Sequence, residues 1–304
     1  MGTRIEAVAT AHGHGWRLGR GALHLTDVAA EACLERGRAR AEDLDLLINA
    51  GLYRNANVAE PALAAIIQED IGANPGTKIV RGHHGTFSFD VLAGGCGVLT
   101  AATIADGFVG HGAARRALIV AGDVDPSPGV SDGYPFSPVA GAMLLGHTDD
   151  ATGFEQIELR TFGEHASLFE VHVRWKPREG VLHRGRNVLE VREAPSFAER
   201  CIQLATEVGA GFLDRRRLRA ADIDLLIASQ YPPSFARGVA HGLGLADRLP
   251  VVAPALAAAH TAGPIAALEA AFSTGQFHRA RRTLVVTAGA GITIGIALYV
   301  QDAI

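Results

Sequence analysis

The same pattern of residues occurs twice in this chain, as A-E-D-L-D-L-L-I at residues 41–48 and as A-A-D-I-D-L-L-I at residues 220–227. A second pair follows, A-R-R-A-L-I-V-A at residues 114–121 and A-R-R-T-L-V-V-T at residues 280–287. Short apolar runs with β-branched residues predict buried strands. The repetition therefore indicates that the two halves of the chain share one architecture.

A stretch of small residues precedes each A-R-R pattern, at residues 96–109 in the first half and at residues 261–272 in the second. Alanine-rich sequence with apolar residues at helical spacing predicts a buried helix. Each half then runs helix, strand, helix, strand, which predicts an α/β duplication with parallel strands covered on both faces. The polar stretch H-T-D-D-A-T-G at residues 147–153 places the junction near 150, giving halves 1–150 and 151–304.

The composition limits the classes of function. The 304 residues are 48% hydrophobic and 20% charged, with a net charge of −4, which is typical of a globular protein and makes nucleic acid an improbable partner. No apolar run is long enough to span a membrane, and the N-terminus has an early Glu6 and no apolar segment of a signal peptide. Three widely spaced cysteines form no disulfide framework, so we expect a cytoplasmic protein.

The stretch A-G-G-C-G-V-L-T at residues 93–100 places Cys96 among glycines where a helix is predicted to begin. A helix N-terminus stabilises a thiolate, and glycines allow a substrate carbonyl to approach closely, so Cys96 is a candidate nucleophile. The alternative is a small buried residue in a tight turn. Cys33 and Cys201 lie in polar helical contexts and are interpreted as structural.

Alignment of the two A-R-R patterns places Cys96 opposite Ala262, two residues after His260. Both positions are then at the beginning of an equivalent central helix. We therefore expect the duplication to bring Cys96 and His260 to one site.

Six motifs follow one another along the chain: L-Y-R-N-A-N-V-A-E-P-A-L-A (52–64), F-D-V-L-A-G-G-C-G (89–97), A-L-I-V-A-G-D (117–123), D-I-D-L-L-I-A-S-Q (222–230), A-H-T-A-G-P (259–264) and A-G-A-G-I-T-I-G-I-A-L (288–298). Their order resembles the thiolase superfamily and, within it, the β-ketoacyl-acyl-carrier-protein synthase III (ketosynthase III) branch. The resemblance implies a duplicated five-layered α/β/α/β/α thiolase-like fold, a homodimer, and an acyl group carried as a thioester on Cys96.

Two positions depart from the family pattern. The family histidine of H-Q-A-N is Ser229 here, and the family asparagine of N-T-S is His260. The family uses that histidine and asparagine to hold the enolate oxygen formed when a malonyl group loses carbon dioxide. The resemblance with these replacements implies instead an acyltransferase that loads Cys96 from acyl-coenzyme A or acyl carrier protein. His260 would then activate a nucleophilic acceptor, in a specialised fatty acid or polyketide pathway.

The role of Ser229 is open at this stage, because it could orient His260, hydrogen-bond the substrate, or be the remnant of a lost function. His260 could also be only a helix cap or a polar group in the core. Two other functions stay open: a carbon–carbon bond-forming condensing enzyme, and a non-catalytic partner subunit of a heteromeric ketosynthase.

The resemblance also implies an oxyanion hole formed by the N–H of Cys96 and an N–H near Ala290 or Gly291. The glycine-rich loop at 288–295 is followed by a strand-like run, which argues against dinucleotide binding. Further substrate-binding candidates are Trp16, Arg17, Gln230 and Tyr231, the first two for coenzyme A. The histidines at 12–14 and 83–84 lack the spacing of a metal site, so we expect no metal and no tightly bound cofactor.

Overall fold

The first sheet of the protein has five strands, in the order β1-β5-β4-β2-β3. The structure is a computed structural model, and it describes residues 2–13, 21–54, 60–76, 85–177 and 185–302. The strands are β1 (Gly2–His12), β2 (Leu46–Asn49), β3 (Phe87–Asp90), β4 (Arg116–Asp123) and β5 (Val139–Thr148).

The second sheet has four strands, in the order β6-β11-β10-β9, and a separate two-stranded ribbon pairs β7 with β8. The strands are β6 (Gly153–Thr161), β7 (Phe169–Pro177), β8 (Gly185–Glu193), β9 (Leu225–Ala228), β10 (Arg282–Gly289) and β11 (Thr293–Val300). The first sheet thus uses residues 2–148 and the second uses residues 153–300. The division into halves at residue 150 stays a prediction.

The expectation of parallel strands is correct only for one end of each sheet. In the first sheet β2 runs parallel to β3 and β4, and in the second β9 runs parallel to β10. Strand β5 is antiparallel to β1 and β4, and β11 is antiparallel to β10 and β6. The physical reason is the connection: β10 joins β11 through a turn of residues 290–292, which is too short for the crossover that parallel strands need.

The helices and sheets form five layers. Helices α1 and α2 cover the outer face of the first sheet, and α4 and α5 cover the outer face of the second. Helices α3 and α6 lie between the sheets, since α3 contacts strands of both and α6 contacts β1 and β9. The helices are α1 (Ala22–Arg36), α2 (Leu63–Asp70), α3 (Gly97–Gly110), α4 (Phe197–Arg215), α5 (Phe235–Gly242), α6 (Gly263–Ser273) and α7 (Gln276–Arg279).

The two central helices occupy equivalent places in the repeat. Cys96 is the N-cap residue of α3 and Ala262 is the N-cap residue of α6, the pair that the alignment of the A-R-R patterns predicts. Both helices are rich in alanine and glycine and are largely buried, which allows them to pack between two sheets. Across the described ranges, no helix has both the length and the apolar character needed to cross a bilayer.

A close backbone contact joins the start of α3 to the second sheet. A Cβ atom added at Gly95 would overlap the carbonyl oxygen of Ala288, at the end of β10. Only glycine therefore allows the turn that carries Cys96 to lie against β10. This contact fixes the cysteine to both halves of the chain.

The contact predicts a large loss of stability for Gly95→Ala. We expect a decrease of about 3 kcal/mol or more in the free energy of unfolding, because backbone atoms must move to admit the methyl group. The matched control is Gly107→Ala, in α3, where an added Cβ meets nothing within 4 Å. That change should stabilise the protein by about 0.5–1 kcal/mol. Urea unfolding measures the free energy of unfolding of both variants. Equal stabilities of Gly95→Ala and Gly107→Ala would contradict the close contact at Gly95.

Candidate active site

Cys96 is buried between the start of α3 and the hairpin of β10 and β11. It ends a 3₁₀ turn, Gly94–Cys96, and only 1% of its surface is exposed. Its Sγ lies 3.2 Å from the carbonyl oxygen of Thr293 and 3.4 Å from the hydroxyl of Thr287. The thiol thus donates to Thr293, and the Thr287 hydroxyl donates to the sulfur.

Burial raises the pKa of the Cys96 thiol to about 11, although the hydrogen bond from Thr287 acts in the opposite direction. Desolvation of the charged form has the largest effect on this pKa, so burial opposes the thiolate that a helix N-terminus is expected to stabilise. The raised pKa favours the protonated sulfur at neutral pH. A base must remove this proton before the sulfur can attack a thioester.

His260 is the histidine that the fold places beside this cysteine turn. Its Nδ1 lies 3.1 Å from Oδ2 of Asp123, and its other ring nitrogen, Nε2, faces Gly94, where an added Cβ would be 4.0 Å away. The imidazole ring stacks on Phe136, with ring centroids 4.2 Å apart, and lies 5.4 Å from the ring of Tyr53. Both the hydrogen bond and the stacking fix the orientation of the ring.

Asp123 is fully enclosed at the carboxyl end of β4 and is the centre of a hydrogen-bond network. Its Oδ2 also accepts from the Thr261 hydroxyl at 2.6 Å and from the Thr261 amide at 2.9 Å. Its Oδ1 accepts from the amides of Leu52 and Tyr53 at 2.9 and 2.7 Å. Burial alone would raise the pKa of Asp123, but the hydrogen bonds from His260 and Thr261 hold the pKa below its usual value.

The ionised carboxylate determines the tautomer of His260. A carboxylate only accepts hydrogen bonds, so Nδ1 of the imidazole donates its proton to Asp123, and in the neutral ring the lone pair is then on Nε2. The role of His260 as a general base stays a prediction. Asp123 was not among the candidates predicted from the sequence, although it ends the motif A-L-I-V-A-G-D, where a charged residue follows a buried strand.

Ser229, which replaces the family histidine, hydrogen-bonds to the backbone of β10. Its Oγ accepts a hydrogen bond from the amide of Ala288 at 3.2 Å, and its own amide donates to the carbonyl of Val286. Its side chain is buried. The hydrogen bonds of Ser229 thus link the end of β9 to β10, and a role in orienting His260 stays a prediction.

The hairpin residue that lies against Cys96 is Gly289, since a Cβ added there would be 3.5 Å from the amide nitrogen of Cys96. That amide donates to the carbonyl of Ala93 at 3.1 Å. Ala290 is exposed at the tip of the hairpin, and Gly291 adopts a φ of 82°, which a three-residue turn requires. The assignment of an oxyanion donor near Ala290 or Gly291 stays a prediction.

The remaining candidate residues predicted from the sequence are Gln230, Tyr231, Trp16 and Arg17. The ring of Tyr231 contacts Phe136 edge-on with centroids 4.7 Å apart, and its hydroxyl donates to Glu193. Gln230 donates to the carbonyl of Ala228. Trp16 and Arg17 lie outside the described residues. Within the described ranges, no group of three or more histidine, cysteine or acidic side chains could hold a metal ion.

The hydrogen bond from Thr287 predicts the reactivity of Cys96 toward iodoacetamide. We expect the alkylation rate to increase with pH well beyond pH 8.5, the usual pKa of cysteine. Thr287→Val should slow alkylation at pH 8 by up to about tenfold, because the thiolate loses a donor, whereas Thr287→Ser should keep the wild-type rate. Mass spectrometry beside Cys96→Ala isolates the reaction of this residue. An apparent pKa near 8 that Thr287→Val leaves unchanged would contradict this prediction.

The lowered pKa of Asp123 predicts a dependence of stability on pH. We expect Asp123→Asn to cost about 3 kcal/mol of unfolding free energy at pH 7, because buried donors lose their carboxylate. A lowered folded-state pKa contributes stability above the unfolded value of 3.8, and that contribution is lost as the pH falls through the folded value. The difference between wild type and variant should therefore shrink below about pH 4.

Urea unfolding at pH 7, 5 and 3 measures this difference. The control is Asp247→Asn, an exposed aspartate whose replacement should change stability by less than about 0.5 kcal/mol. A difference in unfolding free energy between wild type and Asp123→Asn that grows toward low pH would contradict this prediction.

Comparison with known proteins agrees with the motifs. Residues 213–300 match the family described as 3-Oxoacyl-[acyl-carrier-protein (ACP)] synthase III C terminal. The chain is 28% identical to a β-ketoacyl-[acyl-carrier-protein] synthase III of Rhizobium rhizogenes, over 90% of this chain and 82% of the relative. It is 26% identical to the enzyme of the same name from Laribacter hongkongensis, over 89% of this chain and 81% of the relative.

Solved structures of the same fold cover the chain almost completely. The 3-oxoacyl-[acyl-carrier-protein] synthase III of Aquifex aeolicus superposes with a TM-score of 0.80 at 18% identity, covering 99% of this chain and 100% of the other. OleA of Xanthomonas campestris, solved with lauric acid and lauroyl-CoA, superposes with a TM-score of 0.78 at 16% identity, covering 99% of both chains. The ordered motifs, the matched family and these relatives together support a ketosynthase III-like protein with the fold of the solved structures.

Proposed function

We propose that the protein is an acyltransferase that accepts an acyl group from acyl-coenzyme A or acyl carrier protein on Cys96 and transfers it to a nucleophilic acceptor. The observation that carries this proposal is the hydrogen bond between His260 Nδ1 and Asp123, which leaves Nε2 facing Gly94 in the turn of Cys96. A thiol and an oriented histidine base are the groups that acyl transfer requires.

In the first half-reaction, Nε2 of His260 removes the proton from Sγ of Cys96 as the sulfur attacks the thioester carbonyl. The tetrahedral intermediate collapses, the carbon–sulfur bond of the donor breaks, and the departing thiolate takes the proton from His260. Asp123 stabilises the imidazolium between these steps without accepting its proton. The products are an acyl-Cys96 thioester and a free coenzyme A or phosphopantetheine thiol.

In the second half-reaction, Nε2 of His260 removes a proton from the hydroxyl or amine of the acceptor, which attacks the acyl-Cys96 carbonyl. The bond to Sγ breaks, and His260 returns the proton to the sulfur. Aromatic side chains packed on the buried His260 keep bulk water away, which limits hydrolysis of the intermediate.

Carbon–carbon bond formation is the second candidate, because relatives of this chain are named as β-ketoacyl synthases. The short, buried Ser229 accepts a hydrogen bond from Ala288, which weighs against its use in holding an enolate oxygen. Formation of a β-keto product from a malonyl thioester would favour this candidate over acyl transfer. A non-catalytic partner subunit is the third possibility, and such a subunit would not acylate Cys96.

A second copy of the chain is the partner that the open edge of the first sheet favours. Strand β3 is the edge strand, and Phe87 is 58% exposed on it, with Leu92 60% exposed just beyond. An open strand edge with exposed apolar side chains favours pairing with another strand. We therefore propose a homodimer formed through β3.

Intact-protein mass spectrometry tests the proposed function. After incubation with a panel of acyl-coenzyme A thioesters, the wild type should gain the mass of one acyl group and Cys96→Ala should gain none, because the variant lacks the nucleophilic sulfur. The same panel on acyl carrier protein distinguishes the two donors. Absence of acylation by both donor types would reject the acyltransferase and support the partner subunit.

Sedimentation velocity of Phe87→Glu tests the proposed dimer. A charge placed on the edge strand should shift a micromolar sample to monomer, because both copies would bury an unpaired carboxylate. The control is Val251→Glu, which places the same charge at a residue that is 87% exposed outside any strand. Equal sedimentation of both variants as dimers would exclude β3 from the interface.

A further inference from the structure

A small cavity lies between the two central helices, one side chain away from Cys96. Its volume is about 20 Å³, which is room for about one water molecule or one methyl group. Helices α3 and α6 line it with residues at helical spacing, and strand β10 closes one side. The side chains around it include Leu99, Ala102, Met143, Phe154, Leu268 and Thr287.

Thr287 separates this cavity from the sulfur of Cys96. Its hydroxyl lies 3.4 Å from Sγ, and its side chain also lines the cavity. Thr287 is fully buried and pairs with Gly295 across β10 and β11. A Cβ added at Gly295 would be 2.5 Å from the Thr287 hydroxyl, so the glycine leaves the space that this side chain occupies. Thr287 is therefore a fixed partition between the nucleophile and the cavity.

The lining of the cavity determines what can occupy it. Apart from Thr287, every residue that lines it is apolar. A bound water needs at least about two polar partners, and the Thr287 hydroxyl is already shared between Cys96 Sγ and, at 3.5 Å, the carbonyl of Gly295. A carboxylate placed there would have no partner. The cavity therefore suits the uncharged end of a hydrocarbon chain.

The repeat indicates that the fold does not require a threonine at position 287. The two A-R-R patterns place Ala121 of β4 opposite Thr287 of β10. Both residues are buried on strands that lie inside their sheets. Alanine is thus compatible with this place in the architecture, and the larger side chain at position 287 is distinguished by its contact with Cys96.

An acyl group on Cys96 needs room beside a sulfur that is enclosed by Thr287 and by the carbonyl of Thr293, on a residue that is only 1% exposed. We infer that the end of this acyl chain occupies the cavity between α3 and α6, and that Thr287 restricts the chain to a short one. This inference rests on the proposed acyl transfer. The donor is then a short, uncharged acyl thioester such as acetyl or propionyl, rather than a long-chain or malonyl thioester.

Three replacements of Thr287 separate its shape from its hydrogen bond. Thr287→Val keeps the shape and loses the hydroxyl, Thr287→Ser keeps the hydroxyl and loses the methyl group, and Thr287→Ala loses both. Intact-protein mass spectrometry measures the rates at which acetyl-, butyryl-, hexanoyl- and octanoyl-coenzyme A acylate Cys96 in the full-length protein. Thermal unfolding of each variant confirms that it is folded.

We expect the wild type and Thr287→Val to react with acetyl-coenzyme A at least about tenfold faster than with octanoyl-coenzyme A, because the partition excludes the longer chain. Thr287→Ser and Thr287→Ala should lose most of this preference. Loss of the hydroxyl should slow the valine and alanine variants with every donor by a common factor, which leaves the preference of the valine variant unchanged.

Alkyl methanethiosulfonates test the cavity without acyl transfer. These reagents form a disulfide between Cys96 and an alkylthio group and release methanesulfinate, so they place a hydrocarbon chain directly on the sulfur. Rates are measured from the methyl to the octyl reagent, each divided by the rate with glutathione, and Cys96→Ala reports labelling of other cysteines. The four proteins should show the same chain-length preferences as with the thioesters.

A second pair of variants tests the far wall of the cavity. In the Thr287→Ala protein, Leu268→Ala enlarges the cavity, whereas Leu144→Ala removes a buried leucine from the separate core beside α1. We expect Leu268→Ala to raise the octanoyl rate relative to the acetyl rate by a further factor of about ten. Leu144→Ala should leave that ratio unchanged.

Four results would overturn the inference. They are equal acetyl and octanoyl rates in the wild type, the same chain-length preference in Thr287→Ala and Thr287→Val, the same ratio in Leu268→Ala and Leu144→Ala, and failure of Cys96 to react with either series of reagents. If no thioester acylates Cys96 but the methanethiosulfonates show the expected preferences, the cavity is confirmed as the seat of the chain and the proposed acyl transfer fails.

Discussion

The hydrogen bond between Asp123 and His260 is the interaction on which the site depends. Asp123 comes from the end of β4 in the first sheet, whereas His260 and Thr261 come from the segment that leads into α6. The same carboxylate holds the backbone at Leu52 and Tyr53. One buried charge therefore positions the base, the start of a central helix and the aromatic cluster together.

The duplicated fold explains why these groups meet. Two central helices begin at equivalent places between the sheets, one at Cys96 and the other at Ala262. The close approach of Gly95 to Ala288 brings the cysteine turn against the second sheet. Because burial raises the pKa of Cys96, we expect its reactivity to depend on a neighbouring base, and His260 is the residue that we propose for that role. The family asparagine could not do so, because an amide does not accept a proton at neutral pH.

The sequence predicted the features that repeat or that have a local signature. The paired D-L-D-L-L-I and D-I-D-L-L-I patterns predicted strands β2 and β9, and the A-R-R alignment predicted the equivalence of Cys96 and Ala262. The antiparallel β5 and β11 were missed, because apolar runs do not encode strand direction.

The groups missed at the site depend on partners distant in sequence. Asp123 and His260 are separated by 137 positions, and the sequence around each residue does not indicate the other as its hydrogen-bond partner. Ser229 was recognised as a replacement, but its hydrogen bond to Ala288 follows from the pairing of β9 with β10. Local pattern thus located the cysteine and the histidine but not the hydrogen bonds that orient the histidine.

The central claim is that His260 serves as the base for the transfer of an acyl group from Cys96, and single-turnover discharge of the acetyl enzyme tests it most directly. The enzyme is acetylated, freed of excess donor and mixed with a panel of alcohols and amines, and the loss of the acetyl mass is followed for the wild type and His260→Asn. The account predicts that the variant discharges about 10²–10⁴-fold more slowly, which is the contribution expected of a general base. Equal discharge rates in the two proteins would contradict it.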